Sequence, residues 1–153
     1  LSWNDLRGPG PLPTGITLDN ETVIVENATT NSLCATVANI EKPAIQQSVY
    51  ALTGEVRYEG IEGRGYLEMW SHFPDGGAYF SRTLADSGPT AALAGSSTWR
   101  PFVLPFYNQE AGPAPTRLVF NVVFPSRGAV YLRSVQLIQF TANQNPLASS
   151  PGA

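Results

Sequence analysis

Apolar side chains along this chain recur at every second position, and that spacing constrains the fold more than any other property. In TRLVFNVVF (116–124), Leu118, Phe120, Val122 and Phe124 share one parity. In QSVYALTGEVRYE, Tyr50, Leu52, Val56 and Tyr58 share one parity, while Glu55, Arg57 and Glu59 share the other. Side chains of an extended strand alternate between faces, so each run has one face fit for a core. No window carries the period of an amphipathic helix. Fourteen Gly and thirteen Pro in 153 residues are too many for a helical bundle and suit short strands joined by tight turns.

Strands are predicted at TVIVE (22–26), LCATVAN (33–39), 47–59 (one long strand or a pair), 64–73, AYFSRTL (78–84), TWRPFVLPF (98–106), TRLVFNVVF (116–124) and AVYLRSVQLIQF (129–140). GIEGRG reads as the turn between the third and fourth. Asp75-Gly76 in FPDGG marks a tight hairpin, because it supplies positive φ. Pro101 and Pro105 restrict their segment to an edge or irregular strand, since proline cannot donate to a ladder. The apolar parity of the last strand slips near Arg133-Ser134, which predicts a bulge. ADSGPTAALAGSS and NQEAGPAPT read as loops. About eight strands spaced near ten residues apart, without a helix, predict an all-β, two-sheet antiparallel β-sandwich. Residues 1–17 form a lead-in clasped to the domain by Trp3 and Leu6, 18–140 the sandwich, and 141–153 a polar tail or linker.

RGYLEMWSHF (64–73) is unlike the other strands. One parity holds Leu67, Met69, Ser71 and Phe73, an ordinary core set. The other holds Tyr66, Glu68, Trp70 and His72, flat apolar rings beside hydrogen-bonding groups. A strand that only closes a core has Thr, Lys or Ser on its wet side. Arg57, expected on the neighbouring strand, would share this outward face, and Arg82 joins it if Tyr79 points inward. Trp99 and Arg100 point to opposite faces. Rings stack on the C–H faces of sugars while carboxylate, guanidinium and imidazole groups take the hydroxyls. The row therefore fits carbohydrate recognition. A row covered by a loop, with Glu68 paired to Arg57 or Arg82, and a protein interface are the competing readings, since aromatics are favoured cross-strand partners on any sheet.

Composition excludes other roles. The net charge of −3, without runs of one sign, lacks the basic stripe that nucleic acids require. Eight of nine basic residues are Arg, Lys42 being the exception. Cys34 is the single cysteine, so no internal disulfide forms, and in LCATVAN it reads as a small buried hydrophobe. His72 is the single histidine, which leaves no His-rich metal site. No Ser lies in a nucleophile elbow, and no phosphate loop or dinucleotide fingerprint is present. Glu68 with Glu55 or Glu59 could supply the two carboxylates of a small glycoside hydrolase if adjacent strands bring them together. Asp19, Asn20 and Glu21 could join a structural calcium site, but no acidic residue follows Gly128. No cofactor is expected, calcium being the one ion entertained. No stretch has the length and apolarity of a spanning helix. A start at Leu1 suggests a processed piece, with any membrane anchor outside it.

GEVRYEGIEGRGYLEMWSHFPDG, YFSRTL, SSTWRPFVLPF and TRLVFNVVFPSRGAVYLRSVQL, with the pattern W-R-x-F-x-L-x-F, resemble the galactose-binding-like jelly rolls. In layout they are similar to non-catalytic carbohydrate-binding modules of bacterial surface proteins. The resemblance spans about residues 18–140 and implies a jelly roll with one sheet face available to ligand. The expectation is a non-catalytic, extracytoplasmic binding domain whose partner is carbohydrate or a surface protein. Its ligand residues would be Tyr66, Glu68, Trp70, His72, Arg57 and Arg82. The rivals are a structural or protein-interaction ectodomain of a membrane-anchored protein and, third, a small hydrolase.

Overall fold

A computed structural model describes residues 15–108 and 112–140. Ten strands make up its regular structure: β1 (Ile16–Asp19), β2 (Thr22–Asn27), β3 (Leu33–Glu41), β4 (Val49–Glu59), β5 (Ile61–His72), β6 (Ala78–Arg82), β7 (Leu93–Gly95), β8 (Arg100–Tyr107), β9 (Arg117–Phe124) and β10 (Gly128–Phe140). One sheet runs β1-β2-β10-β4-β8. The other runs β3-β9-β5-β6, with β7 also paired to β5. All named pairings are antiparallel. The two sheets face each other as a jelly-roll sandwich. No helix among the described residues is long and apolar enough to cross a membrane.

The predicted parity fills the space between the layers. Tyr50, Leu52 and Val56 of β4, Leu67 and Met69 of β5, and Leu118, Phe120, Val122 and Phe124 of β9 are buried there. Phe102 of one sheet stacks on Phe120 of the other, centroids 6.0 Å apart. The Tyr50 hydroxyl donates to Ser71 Oγ at 2.7 Å, a buried hydrogen bond that also ties the sheets together. Burial pushes the Tyr50 phenol up to about 12, and the Ser71 hydrogen bond opposes that rise.

Several local expectations hold. β8 is an edge strand, as its prolines require. The Asp75-Gly76 turn closes with Gly76 at φ 90°, and the Gly77 amide donates to Asp75 Oδ1 at 2.8 Å. The register of β10 against β4 shifts between Arg133 and Gln136, with Ser134 at φ 56°. Arg133 thus faces out and Val135 returns to the core.

Other expectations need correction. GIEGRG is not a turn: β5 begins at Ile61, and the chain changes sheets at Gly60. β4 and β5 are therefore in different layers, and Arg57 faces away from the Tyr66–His72 row. Ile16 and Thr17, read as lead-in, belong to β1, whose turn to β2 sets Asn20 and Glu21 at φ 47° and 72°. That is the conformation of a two-residue primed hairpin. β7 lies within a segment read as loop. Cys34 is exposed on the outer face of β3 rather than buried. Its thiol is pushed up by partial desolvation and by the negative charge of Glu68, with Arg82 opposing. Trp3, Leu6 and the 141–153 tail lie outside the described residues.

Candidate functional site

The outer face of the β3-β9-β5-β6 sheet is built in rows, one residue from each strand. Register pairs Arg82 with Glu68, Glu68 with Asn121 and Asn121 with Thr36. Their side chains hydrogen-bond in that same order. Arg82 Nε donates to Glu68 Oε2 at 2.7 Å. Asn121 Nδ2 donates to Glu68 Oε1 at 2.8 Å, and Thr36 Oγ1 donates to Asn121 Oδ1 at 2.8 Å. Glu68 is only 4% exposed. A carboxylate so desolvated persists only when paired and hydrogen-bonded, and here both oxygens are engaged. Glu68 therefore holds Arg82 in place.

The next row is Phe80, Trp70, Val119 and Asn39. Trp70 and Phe80 meet edge to face, centroids 5.3 Å apart at 67°. Trp70 is half-buried on the sheet's outer side and Phe80 is 49% exposed. The Arg82 guanidinium lies 3.8 Å from the centroid of the Phe80 ring and 5.2 Å from that of Tyr66, within cation–π range. Its Nη groups make no hydrogen bond to a described residue. Sequence parity places Tyr66, Glu68, Trp70 and His72 on this face, and the hairpin adds Arg82. Tyr79 takes the opposite parity and packs edge to face on Phe73.

The third row is Ala78, His72, Arg117 and Glu41. Arg117 Nη2 lies 3.4 Å from His72 Nε2. Desolvation, then the Arg117 charge, holds the imidazole below its ordinary range. His72 is therefore predominantly neutral at pH 7, and a neutral ring can accept from Arg117.

Asn121, Thr36, Phe80 and Arg117 were not among the predicted ligand residues. Asn121 and Arg117 had a readable signal, as polar residues on the outward parity of TRLVFNVVF. Phe80 shares its parity with Arg82. Thr36 carries no signal until the register of β3 is known.

Arg57 lies on the far side of the molecule. It ion-pairs with Glu59, and its guanidinium sits 3.9 Å from the Tyr131 ring centroid. Arg133 lies 4.0 Å from the centroid of Trp99 and pairs with Glu55 at 2.9 Å. Glu55 and Glu59 are thus across the sandwich from Glu68, and the hydrolase pairing is not assembled. Trp99 joins this outer cluster while Arg100 donates from Nε to Tyr58 Oη at 3.2 Å; the two diverge as their adjacency requires. Among the described residues no group of three or more His, Cys, Asp and Glu could hold a metal ion.

No family model and no curated protein sequence matches this chain. Among solved structures it is similar to a family 16 carbohydrate-binding module, at 14% identity and TM-score 0.47, over 84% of this chain and 83% of that one. It is also similar to a xylan-binding domain from Paenibacillus barcinonensis, at 10% identity and TM-score 0.43, over 92% of each chain. At these values the neighbours say nothing about ligand, and the face itself must carry the functional reading.

Proposed function

We propose that the outer face of the β3-β9-β5-β6 sheet binds carbohydrate without catalysis. The supporting observation is the Trp70–Phe80 pair beside Arg82, a guanidinium fixed through Nε by a buried carboxylate with its Nη donors left over. Rings take the C–H face of a sugar, and the fixed guanidinium and Tyr66 take hydroxyls. Preorganisation matters, because side chains already immobilised lose little entropy on binding. A location outside the cytoplasm, where polysaccharides are met, accords with this role. The alternative is a protein partner, favoured by Tyr79, Phe80 and Leu84, all large and exposed along or just beyond β6.

Titration against a polysaccharide and oligosaccharide panel tests the proposal. Stacking of bases on aromatic side chains is worth ~1–3 kcal/mol, and a sugar ring should contribute on the same order. Trp70→Ala should therefore weaken binding by about ten-fold with unchanged circular dichroism. A folded wild-type chain that binds no glycan on the panel rejects carbohydrate recognition; retained association with a surface protein, lost in Phe80→Ala, would then establish the alternative.

A further inference from the structure

We infer that the cleft at the His72 end of this face is a subsite for the carboxylate of a uronic-acid polysaccharide, with the adjoining sugar stacked on Trp70. The inference rests on the carbohydrate reading of the face and adds a substrate class to it. The cleft is lined by Glu41, Lys42, His72, Thr116 and Arg117, with Ala114 and Pro115 as its wall; it is shallow and open to solvent, with a volume of about 660 Å³.

Three observations support an anion there. The ion pairs among the described residues are those of Arg57, Arg64, Arg82 and Arg133. Arg117 and Lys42 thus reach the cleft with no ion pair to a described carboxylate, in a chain whose net charge is −3. The described side-chain partner of Arg117 is an imidazole nitrogen, which engages one arm of the guanidinium fork without an ion pair. Finally, Lys42 leaves β3 at φ 50° with its amide bonded to the Thr116 carbonyl at 3.0 Å. This fixes the loop that carries Lys42 against the segment leading into Arg117. Glu41 is the opposing charge, placed in register with Arg117.

A planar fork beside a point charge suits a carboxylate, which Arg binds bidentately. The subsite follows the Trp70 row by one strand repeat, roughly 7 Å, so a ring on Trp70 and a charged substituent in the cleft can belong to one oligosaccharide. The aromatic row favours a sugar acid over the carboxylate of a peptide.

The test is calorimetric titration of the whole chain with galacturonate, glucuronate and mannuronate oligomers and with their carboxyl-reduced counterparts of equal length and linkage. At least one acid form should bind about ten-fold or more tighter than its reduced form, as charge-assisted hydrogen bonds imply, and the preference should shrink with added salt. Arg117→Gln and Lys42→Gln should abolish the preference without weakening the reduced form, whereas Glu41→Gln should increase it. Trp70→Ala should weaken both forms. Equal binding of every acid and reduced pair, still dependent on Trp70, overturns the subsite and leaves the carbohydrate face intact. No binding of either form by the folded chain removes both. Acid binding that ignores Trp70 also overturns the proposal, because the ring and the carboxylate would then not be one ligand.

Discussion

At the residue scale, a few buried polar atoms organise the molecule. Glu68 is charged and almost without solvent, so removing a partner should cost more than the hydrogen bond itself, because the carboxylate stays buried. Arg82→Ala should destabilise the fold by about 2 kcal/mol, seen as a lower urea midpoint at unchanged slope. An unaltered midpoint would mean that the pair is structurally idle. Tyr50 makes a second prediction. Its phenol sits at about 12 in the fold against about 10 in an unfolded chain. Between those values the unfolded chain has released the proton while the folded one keeps it, so stability falls as pH rises through the window. The contribution is fully present below pH 10 and gone above 12. Denaturation at stepped pH should show this decline in wild type and a shallower one in Tyr50→Phe, which lacks the titrating group. Parallel curves would show that the hydroxyl does not titrate with unfolding.

At the element scale, the strands are fixed by alternation, and their departures from regularity by named residues. Gly54 lies mid-strand in β4, where a Cβ would stand 2.8 Å from the Phe102 ring and 3.0 Å from the Arg133 carbonyl oxygen. The ring occupies the room that a side chain would need. Gly54→Ala should therefore cost about 1–3 kcal/mol, as overpacking does. The measurement is thermal unfolding, and a melting temperature equal to wild type would show that Phe102 moves aside freely. The bulge at Ser134 and the turn at Asp75-Gly76 are legible in sequence because each has local chemistry: a parity slip in one case, a residue pair suited to positive φ in the other. β7 is not legible. Leu93 is buried, but a three-residue strand shows no alternation long enough to read.

At the scale of the whole molecule, the decisive fact is the change of layer at Gly60. It puts the Tyr66–His72 row and the Arg57–Trp99–Arg133 cluster on opposite outer faces. Arg57→Ala should accordingly leave glycan affinity within about two-fold of wild type, since substitutions away from special features act weakly. Arg82→Ala should lower that affinity in the same titration. Equal losses in the two variants would place a ligand contact on the far sheet and contradict the assignment of the face.

Sequence alone determined eight of the ten strands in outline, the inward sets of β4, β5 and β9, and the outward set RGYLEMWSHF presents, because a pleated strand sends neighbours to opposite sides whatever lies around it. It also barred β8 from a regular inner position, since proline lacks the donor that an inner strand needs. Which strands lie side by side was decided only in three dimensions. Parity says which residues share a side of a strand but not which sheet the strand joins, and both layers bury the same kinds of side chain. The Arg82–Glu68–Asn121–Thr36 row and the meeting of His72, Arg117 and Lys42 come from long-range register, which no local pattern encodes.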